Sequence, residues 1–394
     1  MSLKQLRNVI FWCHLAAGAT AGVIILIMSV TGVLLAYQRQ IERWADTRAY
    51  VVTRPSPDAP RLPVEALLAR AREGQAASPS SFTLYADADE PATVSFQGGR
   101  NLFVNPYTGE VLGGGSPGVR AFFRAVTDWH RWLGAGGEGR AAARAVTGAS
   151  NLLFLFVVMS GLYLWWPRRW TKAAVRAVTW FRRTQGGRAR DFNWHNVVGF
   201  WSAVPLFVVV LSGVVISYAW ASNLVYKLAG EEPPAQQQRG PGPQQGQQGA
   251  GPSVPLEGLG LLLTKAQGQV EGWRSITLQL PSKTDAPVTF AIDRGNGGQP
   301  QLRSQLTLAR ATGEVVRWEQ YANNTLGRRM RTWLRFAHTG EVYGLVGQTV
   351  AALASAGGAL LVYTGLSLAL RRLFAWLARR RVLTAARVEP SAGD

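Results

Sequence analysis

Four histidines, His14, His130, His195 and His338, are the only imidazoles in a chain of 394 residues. His14 opens the apolar stretch His14–Tyr37 and His195 opens His195–Tyr218. In each copy a glycine preceded by Ser or Thr lies 18 residues after the histidine, at Gly32 and Gly213, and a tyrosine follows 23 residues after it. At about 1.5 Å of rise per residue, histidine and tyrosine then sit near opposite ends of a membrane-crossing helix. His130 and His338 fall instead on amphipathic patterns, Ala121–Leu133 and Arg328–Gly340, each just ahead of an apolar span. A membrane-buried imidazole pair can ligate a metal, relay protons or hold haem through its two axial positions. Zinc asks for four N, S or O ligands, and no acidic or cysteine set completes a pair. Copper would need more than Cys13 and four scattered methionines. Proton pumping ordinarily uses intramembrane carboxylates, which the apolar spans lack. No CxxCH is present, so c-type attachment is excluded and non-covalent, b-type bis-histidine haem fits best.

The elements that must position these residues are four apolar spans at 9–37, 146–166, 196–220 and 345–370. The chain is 47% hydrophobic, with 15 tryptophans and a net charge of +19. That charge clusters beside apolar runs without any nucleic-acid-binding signature, so the lipid bilayer rather than nucleic acid is the expected partner. Lys4 and Arg7 precede a first span that runs on without a small-x-small cleavage site, which reads as an uncleaved anchor. The loop 167–195 carries eight Lys/Arg and no acid between Pro167 and Arg190, and the tail 371–394 is also basic. Positive-inside bias therefore places both termini in the cytoplasm and the segments 38–145 and 221–344 on the other side, periplasmic in a Gram-negative cell. Sorted by side, His14 pairs with His195 at the cytoplasmic face and His130 with His338 at the outer face. Two haems so placed would make an electron wire across the membrane. Arg7, Arg168 and Arg169 could balance inner propionates, and Arg131, Arg328, Arg331 or Arg335 outer ones; the same arginines equally satisfy interface anchoring.

The two outer segments follow one order. The first has an interfacial stretch Gln38–Ala49, a helix Val64–Glu73 and strands at Ser81–Tyr85, Ala92–Gln97, Asn101–Asn105 and Val111–Leu112. The second begins with a polar linker, Glu231–Pro255, expected to be disordered. A helix Leu256–Gly268 and strands near Ser275–Leu280, Val288–Ile292, Leu302–Leu308 and Val315–Val316 follow. TGE recurs before the last strand of each, and the chain reads as internally duplicated. A small helix-plus-sheet domain of about 55 residues is marginal alone. Tyr107, Trp129, Trp132, Trp273, Trp318, Tyr321 and Trp333 could form a substrate face or simply core and interface anchors.

The histidine spans, the two outer helix-plus-sheet segments and the basic inner loop resemble PepSY-associated transmembrane proteins, and within them the bacterial inner-membrane ferrisiderophore reductases that carry two b-type haems. The resemblance covers nearly the whole chain outside Glu231–Pro255. It implies a membrane all-α four-helix bundle with two periplasmic α+β PepSY-like domains, and the same ligand pairs, His14 with His195 and His130 with His338. It also implies outward electron transfer to a siderophore-bound Fe(III), releasing Fe(II). No Rossmann fingerprint or P-loop is present, so the electron donor is a separate cytoplasmic protein, a membrane quinol or a small reductant. Two rival readings stand beside this one. The first is a non-catalytic PepSY membrane protein that binds or regulates a periplasmic partner. The second is a small-solute or siderophore transporter, which four spans per chain would serve only through oligomerisation.

Overall fold

The computed structural model describes residues 2–166, 170–183, 186–234, 255–281 and 283–388, with side chains up to Arg380. Four helices are long and apolar enough to cross a membrane: α1 (Leu3–Leu35), α5 (Gly139–Trp165), α7 (Gly187–Ser217) and α11 (Gly344–Val388). Each outruns its apolar stretch because polar flanks continue the helix. Ser2 and Gln5 cap α1 reciprocally, so it begins at Leu3 rather than near residue 9. Helix α7 begins at Gly187, which puts His195 about two turns inside the helix rather than at its opening. The four helices close a ring, with α1 and α7 each packed on both α5 and α11. Ala21, Ile25, Phe154, Val158, Leu206, Val210 and Ala354 fill its centre. Small residues let the helices approach: a Cβ at Gly357 would meet Ser202 Cβ at 3.0 Å, and one at Gly358 would meet Ser29 Oγ at 3.0 Å.

The strands β1 (Pro79–Tyr85), β2 (Ala92–Phe96), β3 (Asn101–Val104) and β4 (Val111–Gly113) form one meander after α3 (Val64–Arg72). A second meander, β5 (Ser275–Gln279), β6 (Val288–Asp293), β7 (Arg303–Leu308) and β8 (Val315–Gln320), follows α9 (Leu259–Gly268). The sequence predicts two separate small domains; the structure joins them. One antiparallel sheet runs β4-β3-β2-β1-β5-β6-β7-β8, and its middle is the pairing of Ser81–Tyr85 with Gln279–Ser275. Strand alternation sends Phe82, Leu84, Ile276, Leu278 and Phe290 to one face, where they bury with Leu67 and Leu68 of α3 and Leu259 and Leu262 of α9. The physical reason is plain: apart, each half would be marginal in size and would leave β1 or β5 as an open edge.

Two further helices carry the remaining histidines. Helix α4 (Pro117–Trp132) packs on α1 and α5, and α10 (Leu326–His338) packs on α7 and on α8 (Ala219–Leu228). Their starts are fixed by buried or bonded acids. Asp46, on α2 (Gln38–Thr47), accepts from the Ser116 N–H at 2.7 Å and from Arg120 at 2.5 Å. Glu231 accepts from the Gly327 N–H at 2.9 Å and the Thr325 hydroxyl at 2.7 Å. Those bonds, the Gly327 N–H first, hold the Glu231 carboxyl below the usual carboxylate range. The rest of the expected linker, 235–254, lies outside the described residues.

Candidate functional site

The four histidines converge in the pairs expected. At the end of the bundle that carries the basic loop, His14 on α1 and His195 on α7 line one cavity of about 1340 Å³. His14 Nδ1 shares a hydrogen bond with Ser160 Oγ on α5 at 2.9 Å, and His195 Nδ1 with Thr364 Oγ1 on α11 at 3.0 Å. At the sheet end, the His130 and His338 ring centroids are 6.3 Å apart with their planes at 59°. His130 Nδ1 meets Thr31 Oγ1 on α1 at 2.9 Å. His338 Nδ1 meets both Ser212 Oγ at 3.2 Å and the Val209 carbonyl at 2.9 Å, on α7.

Each of these hydroxyl residues is followed by glycine. A Cβ at Gly161, Gly365 or Gly213 would stand 3.3 Å from Cε1 of His14, His195 or His338 respectively, and one at Gly32 would stand 3.7 Å from Cε1 of His130. Every imidazole is therefore edged by a Ser/Thr–Gly pair from a neighbouring helix. The sequence showed two of these glycines, Gly32 and Gly213, as a repeated spacing; the contact of their Ser/Thr–Gly pairs with the outer histidines was not readable, because Thr31 and His130, and Ser212 and His338, are 99 and 126 residues apart. Each half of the chain supplies one histidine to each pair. His14 and Thr31, like His195 and Ser212, are 17 residues apart on one helix, which separates the two sites by about 25 Å along the bundle.

What such pairs can do follows from burial and donor count. Burial first, and then His338 alongside, pushes His130 down to about 4, and burial likewise lowers His338. Both imidazoles are thus neutral at pH 7 and able to offer a lone pair. A metal held by two imidazoles end to end, at about 2.0–2.1 Å per bond, matches a centroid separation of 6.3 Å. Among the described residues no group of three or more His, Cys, Asp and Glu surrounds a common point. Each pair brings together two imidazoles, one from each half of the chain.

The arginines divide. Arg7 lines the cavity and donates to the Leu164 carbonyl and, at 3.3 Å, to the Trp166 carbonyl. Lys4, Arg188 and Arg372 line it too, and sequence reasoning missed their direction while seeing their charge. Arg168 and Arg169 lie outside the described residues. At the sheet end, Arg335 is exposed, with Glu341, Arg39, Arg131 and Arg331 around it. Arg131 stacks on the Trp132 ring at 4.9 Å, and Arg331 Nε donates to Ser222 Oγ at 3.0 Å. Arg328 lies in the first turn of α10, where its backbone N–H donates to the Thr325 cap hydroxyl, ten residues before His338, hence about 15 Å from it along the helix. Of the aromatic residues, Tyr107 is core, whereas Trp129 is half exposed and the Trp333 Nε1–H reaches Tyr343 Oη at 3.3 Å.

One residue was not anticipated. Asp191, one position past the acid-free stretch, is 1% exposed on α7 and accepts from Ser367 on α11 at 2.7 Å, with Arg190 at 3.0 Å and Arg371 at 3.7 Å. It ties α7 to α11 beside the cavity mouth. No curated protein matches the chain in sequence. A family model described as the PepSY-associated TM region matches residues 11–372, from the first turns of α1 into α11 and through the whole sheet. The chain belongs to the PepSY-associated transmembrane family.

Proposed function

We propose that this membrane protein carries two b-type haems, one between His14 and His195 and one between His130 and His338, and reduces a ferric siderophore on the sheet side of the membrane. The observation that carries the reading is the fourfold repetition of one arrangement: a half-buried histidine, its Nδ1 on a Ser or Thr hydroxyl, its ring edge against glycine. The donor set fits haem. Two imidazoles per site, with no group of three or more His, Cys, Asp and Glu placed to hold a metal among the described residues, suit a macrocycle that supplies four equatorial nitrogens, and do not suit zinc. Glycine edges leave room for a flat group, and cations ring the inner cavity where propionates would lie: Lys4, Arg7, Arg188 and Arg372. Arg131, Arg331 and Arg335 have that place at the outer pair.

When bound, haem supplies a one-electron Fe(III)/Fe(II) couple. The chain's part is to hold the two sites about 25 Å apart across the hydrocarbon, to exclude water with the Phe154 and Leu206 layer, and to offer anionic groups the exposed guanidinium of Arg335. In the proposed reaction one electron converts chelated Fe(III) to Fe(II), which oxygen-rich chelators hold less strongly. Positive-inside bias puts the basic loop and termini in the bacterial cytoplasm, the sheet in the periplasm and the donor, a separate protein, quinol or small reductant, on the inner side. The two meanders, each with its helix, read as a fused pair of PepSY-like units from a duplicated chain. The test is to reduce the purified protein anaerobically, add a panel of ferric siderophores and follow reoxidation with an Fe(II) trap. Stoichiometric Fe(II) with at least one chelate supports the proposal; intact haems that no ferric chelate reoxidises would exclude it.

A further inference from the structure

The hydroxyls beside the four histidines do more than fill space. The Val209 carbonyl that His338 Nδ1 meets at 2.9 Å has no hydrogen to give, so that nitrogen must carry the proton. Ser212 Oγ, 3.2 Å from the same nitrogen, has its own hydrogen committed to that carbonyl's helix, at 2.8 Å from Val209 O. The other three hydroxyls repeat this economy of protons. Thr31 lies 2.6 Å from the Ile27 carbonyl, Ser160 2.7 Å from that of Phe156 and Thr364 2.8 Å from that of Leu360, each four residues back on its own helix. A hydroxyl has one hydrogen. Given to the helix, it leaves only oxygen lone pairs facing the ring, and the ring nitrogen opposite must be the donor.

We propose that Thr31, Ser160, Ser212 and Thr364 are positioning residues that fix His130, His14, His338 and His195 as Nδ1–H tautomers and so present every Nε2 lone pair to the space shared by its pair. Gly32, Gly161, Gly213 and Gly365 complete the device by admitting the Cε1 edge of each ring. A histidine whose second nitrogen donates to a fixed acceptor is both oriented and made more basic, as metal-bound histidines are. The consequence for potential rests on the dihaem reading above; the tautomer does not.

Two measurements separate those layers. The first is nitrogen NMR of the full-length chain labelled at histidine, prepared without haem in lipid nanodiscs. All four rings are expected as neutral Nδ1–H tautomers. Thr31→Val, Ser160→Ala and Thr364→Val should each convert only the partner ring to a mixture, with Thr31→Ser and Thr364→Ser restoring it. Each of the other rings also has a backbone carbonyl beside it, Met28 for His130, Val157 for His14 and Leu361 for His195, which keeps part of its Nδ1–H form; Ser212→Ala should change least, because the Val209 carbonyl holds His338 Nδ1 at 2.9 Å. An Nε2–H tautomer at any ring in the unsubstituted chain, or rings indifferent to all four substitutions, would overturn the proposal. The second is a redox titration of the haem-loaded protein. Thr31→Val should raise the potential of the outer haem alone, and Ser160→Ala that of the inner haem alone, at unchanged haem content, since a less basic ligand favours the ferric state less. Unmoved potentials with converted tautomers would contradict the electronic consequence. Absence of haem from a chain with the expected tautomers would refute the dihaem reading and leave the positioning role standing.

Discussion

Alanine placed at the four glycines should give a graded series that a generic packing role would not. At Gly213 the new Cβ would stand 2.9 Å from Asn151 Nδ2, 3.3 Å from its Oδ1 and 3.3 Å from His338 Cε1. Asn151 is held there by donating to the Val210 carbonyl at 3.0 Å, so it cannot move without losing that bond. Overpacking of this kind costs about 1–3 kcal/mol, which corresponds to roughly a 5- to 150-fold weaker site. At Gly161 and Gly365 the Cβ meets a ring Cε1 at 3.3 Å and the ring must give by a few tenths of an ångström, a smaller loss. At Gly32 it meets Ser355 Oγ at 3.4 Å and His130 Cε1 at 3.7 Å, ordinary contact, and affinity should stay within about twofold. The assay is haem titration of the full-length protein, reading the low-spin bis-imidazole spectrum. Gly213→Ala and Gly32→Ala go in a His14→Ala background that leaves the outer site, and Gly161→Ala and Gly365→Ala in a His130→Ala background. The expected order of loss is Gly213, then Gly161 and Gly365, then Gly32. A Gly32→Ala variant as impaired as Gly213→Ala would refute the argument from ring-edge clearance.

Three other perturbations test the scaffold. Leu278→Ala removes a fully buried side chain from the shared sheet core, at about 2–5 kcal/mol; amide exchange should quicken in β2 and β3 as well as in β6 and β7, and acceleration confined to the second meander would mean two independent cores. Asp191→Ala should lower the thermal midpoint in detergent by the loss of a charged hydrogen bond to Ser367, about 1.5–3 kcal/mol, while Asp191→Asn, which keeps an acceptor, should lose less; equal losses would contradict that role. The carboxyl of Glu231 is depressed when folded, so its capping of α10 is fully present above the unfolded value of about 4.3 and is lost as pH falls through the lower folded value. Exchange in the first turn of α10 should rise over that window and lose its pH dependence there in Glu231→Gln.

The pairing of histidines was legible because scarcity, span polarity and the matched 18-residue spacing all acted along the sequence. Strands alternated clearly enough to place all eight within two residues or so at most ends. β8 is the exception, running on to Gln320 through Arg317 and Glu319, polar residues that hid it. The fusion of the meanders was not legible, since an edge strand and a central strand share one alternation, and only the β1–β5 register decides between them. Ser160 and Thr364 were equally hidden: a Ser or Thr in an apolar helix carries no sign of which ring it faces 146 or 169 residues away. Asp191 escaped because it sits among arginines at a helix start, where charge is ordinary.

Haem content decides the central claim most directly. The purified full-length protein, expressed with ample haem, should contain two haems per chain, with a reduced b-type low-spin spectrum. His14→Ala or His195→Ala should remove one of the two, and His130→Ala or His338→Ala the other. A colourless protein, or one haem lost in common from all four variants, would contradict the account.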